Sequence, residues 1–590
     1  MLPIFRGKVP RLRGNFFDRL KNHCIFAKNL NAMEQLEPPI QNRFPLGIQS
    51  FEDLRYRNAV YVDKTDYVYS LVASTTKSYF LARPRRFGKS LLCNTLRAYF
   101  EGKKELFEGL KISQWEKDWV KYPILYIDFV SGDYSIGSSM LITKINIVLK
   151  EFEAENGIQF DESYIQDKID KEIDENESPY HKASKILSVR LEYDLKMVYE
   201  KTGLKTVMLV DEYDNPLINS KNLEIDKGIY RGFFSVLKSA DRYLRFVFFT
   251  GVTKFAKTTV FSGNNQPKDI SLNAEYSAVC GITHKELTDY FTNEIQAFAN
   301  KRKISFDQMI ALLKRWYDSY LFHEEGTKVF NPVSLFNALD DKDLKNYWYQ
   351  TGTPTFLMQR IRSTNYDYRL LDGDVKYYKN RLENYKDDDF SELVPLLYYS
   401  GYLTIKSVNG DDEIAEYTLG FPNNEVKISF LTNLIDEFYM SDIQSSGFDY
   451  LDFSRDFRTG NVEDALKRFQ ALFETLPYDN DKSVALIERD FQNVIFLVFS
   501  ILGYNTISEP HFSKGRADVV LINNDFVYIF EFKVDQDVQT ALNQINLKNY
   551  AGRYNMTGKK IFKIGANFSS TEKNLTDWVV EEVESLSRCN

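Results

Sequence analysis

The sequence predicts an α/β protein built on a parallel sheet with helices on both faces, and three observations predict it. Short β-rich apolar runs recur at YFLA (79–82), ILYIDF (124–129), VMLV (207–210), FVFFTG (246–251) and YSAVCGI (276–282). Helix-like stretches lie between them, notably SLLCNTLRAYFEG (90–102), SMLITKINIVLKEFEAEN (139–156) and HKASKILSVRLEYDLKMVYEKTG (181–203). Each strand is apolar on both faces, as a sheet covered on two sides requires. At 590 residues the chain exceeds one hydrophobic core, and a prior of roughly 150 residues per domain gives three or four.

The first 32 residues carry Arg6, Lys8, Arg11, Arg13, Arg19, Lys21 and Lys28 against one acid, Asp18. They lack the apolar core and small-residue cleavage site of a secretory signal, so they read as a loosely ordered extension, with Met33 as a second candidate start. From Phe44 the pattern is globular: FPLGIQSFEDL, then YVDKTDYVYSLV, whose apolar spacing from Tyr67 to Val72 predicts a helix. Asp161 to Ser178 is acidic and reads as a surface excursion. After about residue 285 the strand rhythm gives way to HKELTDYFTNEIQAFANKR (284–302) and DQMIALLKRWYDSYL (307–321), a helical or winged-helix lid. Helical patterns continue to about residue 480, broken by the acidic loop LENYKDDDFSE and a hairpin around VNGDD. A final α/β unit follows: an apolar helix from Val484 to Leu502, a hairpin, another helix and a last strand, KKIFKIGANF (559–568). The expected division is an extension over 1–43, a P-loop domain over 44–284, a lid over 285–375, a mainly helical connector over 376–480 and a terminal domain over 481–590.

No segment is apolar for the roughly 18 residues a membrane span needs, so no membrane partner is expected. The net charge of −8 does not advertise nucleic-acid binding, although a basic groove is compatible with an acidic total. Cys24, Cys93, Cys280 and Cys589 lack metal-binding spacing and fit a reducing cytoplasm.

LARPRRFGKS (81–90) ends in the Gly-Lys-Ser of a phosphate-binding P-loop, with Arg83 where the first glycine of GxxxxGK(S/T) belongs. Lys89 is expected to reach the β and γ phosphates and Ser90 to offer its hydroxyl to Mg²⁺, while Gly88 and its neighbours present backbone N–H groups. Arg83, Arg85 and Arg86 form a basic cluster that reads as phosphate or interface residues. In KTVMLVDEYDNP an apolar strand delivers Asp211 as the acid that holds Mg²⁺ through water and Glu212 as the residue that activates the attacking water. A third strand ends in FFTGVTKF, placing Thr250, Thr253 and Lys254 at the same carboxyl edge. Thr250 is there either a phosphate sensor or a strand cap.

The motifs FPLGIQSFEDL, YVDKT, RPRRFGKS, VDEYDNP, FTGVTKF, FSGNNQPKDISL and WYDSY occur in that order, and over about residues 44–360 the chain resembles the bacterial AAA-ATPase-like family. The resemblance implies an additional-strand P-loop ATPase sheet ordered 5-1-4-3-2, ATP as the ligand, and a C-terminal nuclease-like domain. It makes RPRRFGKS, including Arg85, Arg86 and Phe87, a family feature. It also brings Asp63 and Lys64 into the nucleotide pocket, where spacing alone reads a helix cap and a surface charge.

In GRADVVLINNDFVYIFEFKVD the runs ADVVLI and FVYIFEFK flank NND, a hairpin signal. A turn centred between Asn524 and Asp525 sets Asp518 opposite Glu531, with Cβ atoms about 5 Å apart. Glu531 and Lys533 then share one face. Adjacent carboxylates repel unless a cation lies between them, which points to a divalent metal held by Asp518, Glu531 and the carbonyl of Phe532, with Lys533 positioning water. Over about residues 484–570, GRAD, EFK and ALNQINLKNYA resemble the PD-(D/E)XK nuclease superfamily, which has a restriction-endonuclease-like α/β fold. This resemblance implies Asp518, Glu531 and Lys533 as the signature and Gln544 and Tyr550 as the following-helix motif, while Glu488, at the start of the preceding helix, reads either as the additional acid some members use or as a solvent-facing helix charge. GRAD replaces the motif's proline. Mg²⁺ is the expected metal, with Mn²⁺ as an alternative at this site.

Two functions follow. One is an ATPase coupled to a metal-dependent nuclease acting on DNA or RNA, in defence or in the handling of mobile DNA. The other is a nucleotide-dependent signalling or assembly switch whose nuclease-like domain recruits a partner, either a second copy or another protein.

Overall fold

The computed structural model describes residues 44–164, 178–254, 267–348, 375–385, 392–410, 414–438, 450–474, 518–523, 525–555 and 557–583, with short pieces between them. Pro45 to Asn590 form one compact unit. Among the described residues no helix is long and apolar enough to cross a membrane.

Two helices, α1 (Phe51–Tyr56) and α2 (Thr65–Ala73), precede the first sheet. Its strands are β1 (Ser78–Ala82), β2 (Ile124–Asp128), β3 (Thr206–Asp211), β4 (Leu244–Gly251) and β5 (Lys268–Asp269). The order is β5-β1-β4-β3-β2, and every pairing is parallel. This is the 5-1-4-3-2 order that the family resemblance implied. All of β3 and nearly all of β1 and β4 are buried, which is why they read as unbroken apolar runs. Helices α3 (Lys89–Phe100), α4 (Ser138–Asn156), α5 (Pro179–Thr202) and α6 (Leu223–Ser239) connect or cover these strands. The apolar pattern had not announced α6. Its Gly228 and Gly232 dilute the helical signal, yet a Cβ at Gly232 would sit 2.0 Å from Ser184 Oγ, so close packing on α5 calls for glycine there.

YSAVCGI is not the fifth strand. Ala274–Tyr276 form a 3₁₀ turn, and only Ile282 enters the short strand β6 (Ile282–Thr283). The run is apolar because it packs on the phosphate loop, where Gly281 N–H donates to Phe87 O at 3.2 Å. Strand β6 pairs with β7 (Val329–Phe330) beside α7 (His284–Arg302), α8 (Phe306–Tyr317) and α9 (Pro332–Asp341). Helix α8 stops at Tyr317, short of the expected Leu321, because Asp318 is extended and Ser319 adopts φ 78°.

The next region contains more strand than the sequence reading allowed. Strands β8 (Val375–Tyr378), β9 (Thr404–Asn409) and β10 (Glu416–Gly420) form an antiparallel sheet ordered β8-β10-β9, and the expected VNGDD hairpin corresponds to the pairing of β9 with β10, its Asp411 and Asp412 lying outside the described residues. Helices α10 (Asn424–Phe438), α11 (Tyr450–Thr459) and α12 (Val462–Phe473) follow.

The last sheet is ordered β11-β14-β15-β16-β17, from β11 (Asn505–Ser508), β14 (Val519–Ile522), β15 (Phe526–Val534), β16 (Lys560–Ser569) and β17 (Asn574–Val583). The small ladder β12 (His511–Phe512) with β13 (Gly515–Arg516) lies between β11 and β14 in the chain. KKIFKIGANF is therefore followed by one more strand. Helices α11 and α12, left in the connector by the sequence reading, pack on this sheet. Tyr528 Oη donates to Phe457 O at 2.5 Å, and Phe473 stacks edge-on against Phe568. Helix α13 (Val538–Lys548) crosses the opposite face.

Candidate functional site

The loop after β1 turns into α3 at Gly88, whose left-handed φ of 91° is open to glycine without penalty. Lys89 is buried and its Nζ donates back across the loop to Pro84 O at 3.2 Å. Strand β4 separates β1 from β3, so the loop and Asp211 meet across its carboxyl end. The Ser90 hydroxyl lies near enough to Asp211 to draw its carboxyl down, so the two motifs meet. Burial pushes the Asp211 carboxyl up to about 6, against the pull of Ser90 and Lys89, with Glu212 and Asp128 adding repulsion. A second carboxylate lies close by, because Asp128 is the register partner of Asp211. Glu212 is half-buried with φ 48°, a left-handed conformation that a non-glycine residue adopts at a cost of about 1–3 kcal/mol.

The next two residues of the motif staple this turn to the end of β4. Asp214 Oδ2 accepts from Val252 N at 3.0 Å, Thr253 N at 2.6 Å and Thr253 Oγ1 at 3.0 Å, while Tyr213 Oη donates to Thr253 O. Sequence reasoning missed Asp214, though DEYD carried the signal. Thr250 is fully buried, and its Oγ1 has no hydrogen-bond partner among the described residues. Lys254 is turned elsewhere: it pairs with Asp269 at 2.9 Å and donates to Glu383 O at 3.2 Å.

The three arginines part company. Arg83 is 1% exposed, donating from Nη1 to Ala82 O and Ser271 O and from Nη2 to Tyr276 O, with its guanidinium 4.0 Å from the centre of the Phe322 ring. It shapes the entry to the loop, and its charge is taken up by carbonyls rather than offered to phosphates. Arg86 donates to Tyr347 O at 2.8 Å. Arg85 is half-buried. Phe87 is buried in edge-on contact with Tyr320 and Phe322.

Asp63 holds the entry to α2, whose first residue is Thr65: its Oδ1 accepts from Thr65 N and Oγ1, and its Oδ2 from Lys111 N. Lys64 is buried, pairs with Glu286 at 2.7 Å and has its pKa lowered by desolvation. It borders an apolar cavity that opens beside Gly88, between Val60, Val62, Leu91 and Ile282. The two residues thus separate, with Lys64 at the cavity and Asp63 engaged by the structure around α2.

In the C-terminal sheet, Val519 pairs with Phe530 and Val520 with Ile529, the register that sets Asp518 against Glu531. Asp518 Oδ2 accepts from Phe532 N at 2.7 Å. Glu531 is 2% exposed, its Oε1 accepting from Lys533 Nζ at 3.0 Å and its Oε2 lacking a hydrogen-bond partner among the described residues. Burial, then Asp518, pushes the Glu531 carboxyl up to about 7, while Lys533 and Gln544 draw it down. Gln544 also reaches the Tyr550 hydroxyl, so the helix motif meets the strand motif. Glycine at 565 permits this meeting. It is the register partner of Glu531 on β16, and a Cβ there would lie 2.8 Å from Leu542 N. Gly565 was missed because its role depends on a helix packing across the strand.

Among the described residues no three His, Cys, Asp or Glu side chains converge. Two adjacent carboxylates, one with an orphaned buried oxygen, fit a hard divalent ion that completes its shell with water and phosphate. Ser90 and Asp211 fit such an ion equally at the first site. Glu488 lies outside the described residues.

A family model described as a predicted AAA-ATPase matches residues 45–261, and one described as the PD-(D/E)XK nuclease superfamily matches residues 486–578. Over 559 residues the chain is 31% identical to a protein of Azotobacter chroococcum mcd 1 described as "Uncharacterized protein in vnfD 5'region", covering 92% of this chain and 99% of that protein. With its sheet order, its phosphate loop joined to a carboxylate and its acid pair beside a lysine, the chain belongs to the predicted AAA-ATPase family and carries a C-terminal domain of the PD-(D/E)XK nuclease superfamily.

Proposed function

We propose that the chain hydrolyses ATP at the phosphate loop and couples that cycle to a metal-dependent nuclease site that cuts DNA or RNA. The observation that carries the first half is the meeting of the phosphate loop with a buried acid: Asp211 and Lys89 are both buried at the carboxyl edge of the sheet, and Ser90 and Lys89 both draw the Asp211 carboxyl down. The adenine base occupies the apolar cavity next to Gly88, where Lys64 borders it. Backbone N–H groups around Gly88, together with Lys89, bind the phosphates, with Arg85 as a further cation at the loop. Ser90 and Asp211 hold Mg²⁺, which when bound neutralises phosphate charge. Glu212 accepts the proton of the attacking water, and Thr250 sits at the strand end as the sensor.

At the second site Asp518 and Glu531 hold Mg²⁺ or Mn²⁺, which supplies Lewis-acid activation of the phosphodiester. Lys533 orients the attacking water, and Gln544 and Tyr550 fix the Glu531 carboxylate. Cytoplasmic action fits the buried free thiols of Cys93 and Cys280.

Phosphate release from ATP and Mg²⁺ tests the ATPase. Wild type should turn over, Glu212→Gln should still bind ATP but slow by about a hundredfold or more, and Lys89→Ala should lose binding. Turnover that survives both changes sinks the assignment. The nucleotide-dependent switch is the reading that remains if ATP is hydrolysed but no nucleic acid is cut.

A further inference from the structure

The loop RPRRFGKS lacks its first glycine, yet Arg86 adopts a left-handed φ of 69°, a conformation that a non-glycine residue keeps only when its surroundings hold it. The hold comes from far along the chain. Arg86 Nη1 donates to Tyr347 O at 2.8 Å and to Trp348 O at 3.4 Å. Trp348 N in turn donates to Glu425 Oε1 at 2.8 Å.

Glu425 is fully buried in the first turn of α10. Burial pushes its carboxyl up to about 7, opposed by the Ser334 hydroxyl, the Trp348 and Tyr347 N–H groups and the Arg86 charge. A second connection runs from the same helix start. Asn423 accepts from Val426 N and donates to Asp318 O, in the WYDSY turn, and two residues on Tyr320 meets Phe87 edge-on at 4.7 Å. Both connections end on the residues immediately before Gly88 and Lys89.

We propose that Glu425 is a positioning residue for the phosphate loop, acting through Trp348 and Arg86, so that the start of α10 does what a loop glycine does elsewhere. This rests on reading the loop as a nucleotide site. It assigns WYDSY a place in the same device, and it makes the region around α10 a requirement for nucleotide binding rather than a spacer.

The test is a double-mutant cycle in the full chain, reading KM and kcat for ATP hydrolysis, the affinity for a fluorescent ADP analogue and the thermal midpoint. Glu425→Ala and Arg86→Ala should each raise KM and weaken the analogue about tenfold, the size of one lost charge-assisted hydrogen bond, with kcat little changed. The double variant should match either single one. Glu425→Gln, which can still accept from Trp348, should restore wild-type KM. Unchanged KM with a lowered thermal midpoint, or effects that multiply in the double variant, would overturn the proposal. Where Glu425→Ala does not fold, an unchanged KM in Arg86→Ala overturns it alone. Lys89→Ala separates the two readings: if wild type binds the analogue and Lys89→Ala does not, a negative cycle counts against Glu425 only. If wild type binds no nucleotide, both readings fail.

Discussion

Arg83 stands where a phosphate-binding loop has its first glycine, and the sequence could present that substitution only as an oddity. Its partners, the Ser271 and Tyr276 carbonyls and the Phe322 ring, lie some two hundred residues or more along the chain, beyond any local pattern. Short motifs with local chemistry were legible: Lys89 and Ser90 open the expected helix after β1, and Asp211 and Glu212 sit at the expected end of β3. Buried acids were not, because burial is a property of the fold. Asp194 on α5 is fully buried beside Glu153 on α4, which is paired with Arg190 at 2.6 Å. Burial, then repulsion from Glu153, pushes the Asp194 carboxyl from 3.8 to about 8, with Arg190 opposing. Between those values the native chain keeps a proton that the unfolded chain has lost, so this group's contribution to stability falls as pH rises and is most favourable below the unfolded value. Asp194→Asn should therefore raise the thermal midpoint at pH 8, with the gain shrinking as pH falls towards 4. A gain independent of pH would show that the carboxyl titrates normally.

Among the elements, the hairpin at NND was legible to the exact pairing, since a two-residue period and a short turn fix register without help from the rest of the molecule. YSAVCGI was misread because apolar content reports burial and not strand geometry, and here the buried segment lies against the phosphate loop. Helix α6 and strand β17 were overlooked for related reasons: glycines needed for close packing weakened the one, and the other, only partly buried along much of its length, gives no unbroken apolar run. The packing of α13 over β16 allows a direct prediction. Gly565→Ala places a Cβ against Leu542 N and Val538 O, at 2.8 and 2.9 Å, and must lift the helix that carries Gln544. Cutting activity should fall about a hundredfold, as expected when catalytic groups shift by about an ångström, while ATP hydrolysis stays at the wild-type rate. Equal loss of both activities would instead point to a global folding defect.

For the whole molecule, the sheet order came from the family resemblance and not from periodicity, because strand order depends on which crossovers pack together. The structure adds a physical connection that the sequence left as a helical connector. Lys254, at the end of β4, pairs with Asp269 and reaches Glu383 O, and Glu425 is linked through Trp348 to Arg86. Helices α11 and α12 then pack on the nuclease-like sheet, with Tyr528 bonded to Phe457 O. Under the proposed function, a nucleotide-dependent change in the phosphate loop would be felt through these side chains as far as Glu383 and the start of α10. The most direct measurement is the rate of Mg²⁺-dependent cutting of DNA and RNA by the full chain, with and without ATP, in wild type, Lys89→Ala and Lys533→Ala. The account predicts cutting whose rate responds to ATP in wild type, loses that response in Lys89→Ala and disappears in Lys533→Ala. An ATP-hydrolysing wild type that cuts neither nucleic acid, or cutting that Lys533→Ala leaves intact, would contradict it.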